Sequence, residues 1–180
     1  MKRLSLLLSA IVIFACFGTL QAQGLVSYVY KSDATPQGVK ELISKGANVN
    51  EQNEKGKTAL MVAAFLGKAE IARVLIEEPT TDVNQQDNDG WTALMIAAYY
   101  GRPSRAEIVE DLVNAKESNG LPRTRIDLVN KKGQTAYDLA MLDPDHYHHG
   151  RIAEILEKAK RPSVIRKIVN AIKEEASAKK

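Results

Sequence analysis

Two stretches of the sequence repeat almost the same order of polar and hydrophobic residues. One begins at Asn53 and reads Asn-Glu-Lys-Gly-Lys-Thr-Ala-Leu-Met-Val-Ala-Ala-Phe-Leu-Gly, and the other begins at Asp87 and reads Asp-Asn-Asp-Gly-Trp-Thr-Ala-Leu-Met-Ile-Ala-Ala-Tyr-Tyr-Gly. In each, a polar turn leads to a threonine suited to capping a helix, then to a short apolar run and a helix-ending glycine. Gly56 and Gly90 are 34 residues apart. Self-similarity at this period predicts a stack of repeated helical units.

The common string Gly-x-Thr-Ala-Leu-Met-x-Ala-Ala-x-x-Gly resembles the ankyrin repeat, whose usual core is Thr-Pro-Leu-His-x-Ala-Ala. The resemblance implies an all-α fold, an α-solenoid of helix-turn-helix units with β-turn fingers between them. It predicts a single domain over residues 23–180, with repeats over 24–52, 53–86, 87–129 and 130–160. After Pro162, apolar residues at helical spacing predict an extra helix over 163–176 that caps the last repeat.

Several local patterns refine this outline. Thr58 is expected to cap the inner helix of the second repeat, and Ser104-x-x-Glu107 predicts a capping box at an outer helix of the third. The spacing from Gly90 to Gly133 is 43 residues rather than 34. The additional residues predict a long exposed loop over 114–125, and a second insertion follows at 143–150.

The chain departs from the ankyrin pattern at the histidine of the core. Met61, Met95 and Asp138 stand at that position in three successive repeats. The resemblance therefore implies that the usual histidine-centred hydrogen bonds between repeats are missing, and that packing replaces them.

The first residues carry a targeting pattern. Two basic residues precede an apolar run over 4–17, and Ala22 offers a small residue for cleavage. This pattern predicts a cleavable secretory signal over 1–22, too short to span a membrane. A lipoprotein signal with acylation at Cys16 is the alternative, although its flanking residues fit that pattern loosely. Removal of the signal leaves no cysteine and no N-glycosylation sequon, as expected of a bacterial periplasmic protein rather than a eukaryotic secreted one.

Composition and motifs exclude most chemistry. Hydrophobic residues are 44% of the chain and charged residues 26%, as in a soluble globular protein. No catalytic motif is present and no cofactor is expected, so the chain is not predicted to be an enzyme. The C-terminal segment is basic and could in principle bind nucleic acid. Because the protein is predicted to be exported, a helix whose basic side chains face solvent is the simpler interpretation.

One segment suggests a metal site as an alternative. His146, His148 and His149 lie close to Asp143 and Asp145 in the second insertion, and these are side chains that bind transition metals. Their spacing matches no defined ligand set, so a polar loop in contact with solvent or a partner is the simpler interpretation.

The resemblance places partner contacts on the turn tips and at the ends of the inner helices. Trp and Tyr are enriched among interface hot spots, although the rings would also suit packing between repeats. The predicted contacts are Glu54, Lys55, Lys57, Phe65, Leu66, Asn88, Asp89, Trp91, Tyr99, Tyr100, Lys131, Lys132, Gln134 and Leu142.

Three functional hypotheses follow. The first is an exported module, monomeric when free, that binds a periplasmic protein through a concave aromatic face. Small exported bacterial proteins of similar layout inhibit periplasmic enzymes, including the cell's own peptidoglycan peptidases, which implies a self-protection or immunity role. The second is a supporting partner of a periplasmic peroxide-removing enzyme. The third is a metal carrier that uses the histidine-rich insertion.

Overall fold

The computed structural model describes residues 24–117, 120, 122–142 and 149–160. These residues form eight helices and no strand, which confirms the all-α repeat solenoid. The helices are α1 (Leu25–Tyr30), α2 (Pro36–Ser44), α3 (Ala59–Leu66), α4 (Ala69–Glu77), α5 (Ala93–Tyr100), α6 (Pro103–Asn114), α7 (Ala136–Ala140) and α8 (149–160). The predicted signal, the helix over 163–176 and most of the second insertion lie outside the described residues.

Helices α1, α3, α5 and α7 form an inner layer in which each helix packs on the next. Helices α2, α4 and α6 form the outer layer in the same order. Ala63 and Ala64 are fully buried in α3, as are Ala97 and Ala98 in α5. These small side chains let neighbouring helices approach closely, so the stack has one continuous core. Among the described helices, none is long and apolar enough to cross a membrane.

Threonines are the N-cap residues of the inner helices α3, α5 and α7. The hydroxyl oxygens of Thr58, Thr92 and Thr135 each accept a hydrogen bond from the backbone N–H three residues later, over 3.2–3.3 Å. The prediction for Thr58 is therefore confirmed. Asp138 completes a capping box at α7, and the hydrogen bonds that it accepts from Thr135 hold the pKa of its carboxyl below the ordinary value. Asp138, which stands at the histidine position of the ankyrin pattern in the fourth repeat, thus caps the N-terminus of a helix.

The predicted capping box at Ser104 and Glu107 is wrong. Helix α6 begins at Pro103, its N-cap residue is Arg102, and no side chain caps it. Because the N-cap position is taken by Arg102, whose side chain has no acceptor atom, no side-chain cap forms, and proline at the first helical position fixes a helical φ.

Glutamines join successive repeats. The side-chain amide of Gln52 donates to the carbonyl of Gln86 over 3.0 Å, and Gln86 donates in turn to the carbonyl of Val129 over 2.9 Å. The prediction, made from Met61 and Met95, that packing alone replaces polar bonds between repeats is therefore wrong. The polar contacts lie in the turns rather than on the inner helices.

Two asparagines fix the turns that follow each outer helix. Asn50 donates to the carbonyl of Thr80 and accepts from the N–H of Asp82, both over 2.8 Å. Asn84 makes the same pair of bonds to the backbone of 123–125, both over 2.7 Å. These bonds show that residues 123–125, at the end of the first insertion, occupy the position that 80–82 occupy in the preceding repeat.

The first insertion is only partly the exposed loop that was predicted over 114–125. The guanidinium of Arg123 donates to the carbonyls of Ile76 and Thr81, both over 2.6 Å. Thr124 is buried, and its hydroxyl bonds to a carbonyl of α6. The end of the insertion is held against the body because Arg123 bonds to the carbonyl of Ile76, in the last turn of α4 where carbonyl groups lack intrahelical partners, and to that of Thr81 in the turn that follows.

We expect Thr92→Ala to lower the free energy of unfolding by about 1 kcal/mol, because the substitution removes a buried N-cap. Chemical denaturation measures the change. Thr80→Ala is the control, since Thr80 is exposed and its substitution should change stability by less than about 0.5 kcal/mol. Equal losses for the two variants would contradict the capping role.

Candidate protein-binding groove

Three polar turns project beside the inner layer, and we call them finger 1 (53–57), finger 2 (87–91) and finger 3 (130–134). The first residue of each is Asn53, Asp87 or Asn130. Its Oδ1 atom accepts hydrogen bonds from the N–H groups two and four residues later, over 2.9–3.0 Å. This is the local chemistry that lets Asn and Asp shape turns. The three fingers therefore have the same internal structure.

The fingers are also bonded to one another. The backbone N–H of Asn88 donates to the carbonyl of Lys55 over 3.2 Å, and that of Lys131 donates to the carbonyl of Asp89 over 3.0 Å. A methyl group on Gly56 would lie 2.7 Å from the backbone nitrogen of Asn88, so this close approach needs glycine. The amide of Asn88, which was predicted to face a partner, donates to the carbonyl of Glu54 over 3.0 Å.

Four aromatic rings form a continuous series beside the fingers, and we call it the aromatic ladder. Phe65 contacts Tyr100 at 5.1 Å between ring centroids, Tyr100 contacts Tyr99 at 5.1 Å, and Tyr99 contacts Trp91 at 5.5 Å. Each pair is nearly perpendicular, the edge-to-face arrangement that aromatic rings prefer. Each ring is thereby held by its neighbours.

The rings differ in exposure. Tyr99 and Tyr100 remain 42% and 43% exposed, so a large part of each residue is open to solvent. Phe65 and Trp91 are half-buried and pack against the core. The two tyrosines are therefore the rings best placed to meet another molecule, and the two half-buried rings support them.

Two cations contact the ladder. The Nζ atom of Lys57 lies 5.3 Å from the centroid of the Phe65 ring, and the guanidinium carbon of Arg105 lies 5.3 Å from that of Tyr100. Arg105 is only 9% exposed and donates to the carbonyls of Ala64 and Phe65 at the end of α3. It therefore fixes the ladder to the preceding repeat.

The predicted contact residues largely come together. Twelve of the fourteen line one open cavity of about 720 Å³ between the fingers and the inner helices, which we call the groove. Leu66 and Lys131 are the exceptions, because they are exposed but do not line the groove. The twelve are Glu54, Lys55, Lys57, Phe65, Asn88, Asp89, Trp91, Tyr99, Tyr100, Lys132, Gln134 and Leu142.

Sequence reasoning did not identify Arg105 as part of the site. No other repeat has an arginine at the equivalent position, so the repeat pattern gives no signal for it. The available signal was that Arg105 is a basic residue a few positions after the end of an apolar helix. Cations are favoured near helix C-termini, so a contact with such an end could have been predicted.

The metal hypothesis involves residues that are mostly outside the described part of the chain. His146 and His148 lie there, whereas a ring nitrogen of His149 is 3.1 Å from the carbonyl oxygen of Tyr99. Within the described residues, no group of three or more His, Cys, Asp or Glu side chains is placed to hold a metal ion.

A family model described as ankyrin repeats (3 copies) matches residues 26–122, just over half of the chain. No curated protein matches the chain with significance.

Proposed function

Because the chain belongs to the ankyrin-repeat family, a family of protein–protein interaction modules, we propose that it is an exported bacterial protein that binds a periplasmic enzyme through the groove and inhibits it. The partner docks on the fingers and on the exposed faces of Tyr99 and Tyr100. Self-protection against a peptidoglycan peptidase is the specific role that we favour.

The observation that carries this proposal is the partly exposed aromatic ladder. Tyr99 and Tyr100 lie next to each other on one inner helix, and each exposes more than two fifths of its surface. Tyrosine contributes large rigid contact area with little conformational entropy to lose, and it is enriched among interface hot spots. Two such rings beside charged finger tips have the composition of a protein-binding surface.

The rigidity of the groove supports steric inhibition. The fingers are bonded to one another, and the rings of the aromatic ladder support each other. A preformed surface loses little conformational freedom on binding, so more of the interaction energy appears as affinity. A rigid surface that buries about 800 Å² on each partner, as typical stable complexes do, is large enough to cover an enzyme's active-site cleft.

The test has two steps. The purified chain and its Tyr99→Ala variant are used to capture proteins from an envelope fraction, and a protein retained only by the unchanged chain is then purified. The activity of that protein is measured with and without the chain. A rate that falls as the complex forms supports inhibition. An unchanged or increased rate with greater thermal stability supports the alternative of a supporting partner, and equal capture by both chains contradicts binding at the groove.

We expect the exported protein to begin at Gln23. A signal peptidase that cuts after Ala22 removes residues 1–22, so intact-mass measurement of protein from the envelope should give the mass of 23–180. A Cys16→Ala variant should be processed in the same way. A lipid-modified N-terminus at Cys16 would contradict this prediction and would indicate a membrane-anchored protein.

A further inference from the structure

The charges on the three fingers alternate in sign. Finger 1 carries Lys55 and Lys57, finger 2 carries Asp89 beside its turn-forming aspartate, and finger 3 carries Lys131 and Lys132. Glu54 offsets one charge on finger 1, which remains positive overall. The groove therefore presents positive, negative and positive charge in that order.

These charges are available to a partner. Within the described part of the chain, neither Lys55 nor Lys132 nor Asp89 forms an ion pair, and all three are exposed. Asp87 differs, because its carboxylate accepts the backbone hydrogen bonds that shape finger 2. A partner that supplied opposite charges would gain attraction at all three fingers, whereas like charges would be repelled.

The spacing of the fingers limits the partner's conformation. Lys55, Asp89 and Lys132 occupy equivalent positions in successive repeats, and packed helices lie about 8–10 Å apart. A polyproline II segment has three residues per turn and rises about 3.1 Å per residue, so every third side chain returns to one face at about 9.3 Å. In an extended segment with this conformation, every third side chain therefore lies opposite the next finger.

We propose that the groove binds an extended segment of the partner with the pattern acidic-x-x-basic-x-x-acidic. This inference rests on the proposed function and specifies the partner's chemistry. The acidic side chains pair with Lys55 and Lys132. The basic side chain faces Asp89 and lies on the exposed ring of Tyr99, where a cation is attracted to the aromatic face. The pattern reads the same in both chain directions.

Selection from a displayed library of random ten-residue peptides tests the proposal with the purified chain as bait. We expect enriched peptides to carry the acidic-x-x-basic-x-x-acidic pattern. A synthetic peptide with that pattern should bind the Lys55→Glu/Lys132→Glu variant about tenfold more weakly than the unchanged chain, because each exposed ion pair contributes a factor of up to about five. Raising the salt concentration should reduce this difference.

Two controls separate the possible outcomes. Lys40→Glu reverses an exposed lysine on α2, away from the groove, and should leave peptide affinity unchanged. Peptides that need Tyr99 but show no charge pattern, or that bind the double variant equally well, would overturn this inference and leave the proposed function standing. A library that enriches no groove-dependent peptide would also overturn it. Failure of the proposed function is detected separately, by equal capture of the envelope partner by the unchanged chain and the Tyr99→Ala variant.

Discussion

Arg105→Ala should lower the free energy of unfolding by about 3 kcal/mol. The guanidinium is buried between two repeats and donates to the carbonyls of Ala64 and Phe65. Removing the charged donor takes this partner from the carbonyl of Phe65 and leaves the carbonyl of Ala64 with the bond from the Gly67 N–H, over 3.3 Å. A polar group that loses its partner in the interior costs about 1–3 kcal/mol, and more where the lost donor was charged. Burial lowers the pKa of Arg105, but arginine remains charged at all pH values relevant to the cell.

Urea denaturation of Arg105→Ala and Arg102→Ala measures this effect. Arg102 lies on an exposed surface three residues earlier, and its substitution should change stability by less than about 0.5 kcal/mol. Arg105→Lys should restore only part of the loss, because an ammonium group lacks the planar fork that reaches two carbonyls. If Arg105→Ala unfolds at the same urea concentration as the unchanged chain, the bonds to α3 do not contribute to stability.

Among the described residues, Arg105 is one of three basic side chains that meet the C-terminal end of an inner helix from the next repeat. Lys68 donates to the carbonyls of Val29 and Lys31 at the end of α1, and the ring of His149 contacts the carbonyl of Tyr99 near the end of α5. Carbonyl groups at a helix C-terminus lack intrahelical partners and carry partial negative charge. The C-terminal ends of the inner helices α1, α3 and α5 are therefore each capped by a cation or an imidazole from the next repeat.

The repeat pattern predicted what depends on local chemistry. Thr58 caps α3, Gly67 takes the left-handed conformation that ends the helix, and the paired alanines are fully buried. The turn tips and inner-helix ends line one groove, as the family pattern implied. These features follow from periodicity and capping, which act within about one repeat of the sequence.

Contacts between repeats were not predictable in the same way. Gln52 bonds to a carbonyl 34 residues away, and Arg123 reaches carbonyls more than 40 residues earlier. Many polar side chains could satisfy a buried carbonyl, and which one does so depends on the three-dimensional arrangement. The missing histidines of the family pattern therefore suggested a loss of polar bonds between repeats, although other side chains make such bonds elsewhere.

Tyr99→Ala should weaken partner binding at least thirtyfold while changing stability by about 1 kcal/mol or less. Truncating a hot-spot aromatic side chain costs about 2 kcal/mol or more of binding free energy, which corresponds to about thirtyfold in affinity. Tyr99 is 42% exposed, so the stability change comes mainly from its edge-to-face contacts with Trp91 and Tyr100. Trp91→Ala should be the more destabilising variant, because Trp91 is half-buried and packs on the core.

Titration calorimetry with the captured partner, together with thermal melting of each variant, separates these two effects. Tyr30→Ala is the matched control: Tyr30 ends the inner helix α1, is 47% exposed and does not line the groove. It should leave affinity unchanged because it lies outside the contact. Tyr99→Phe keeps the ring and removes only the hydroxyl, so it should retain most of the affinity if the aromatic face makes the contact. A large loss of stability with unchanged affinity in Tyr99→Ala would instead show that the aromatic ladder holds the repeats together and that the partner binds another surface.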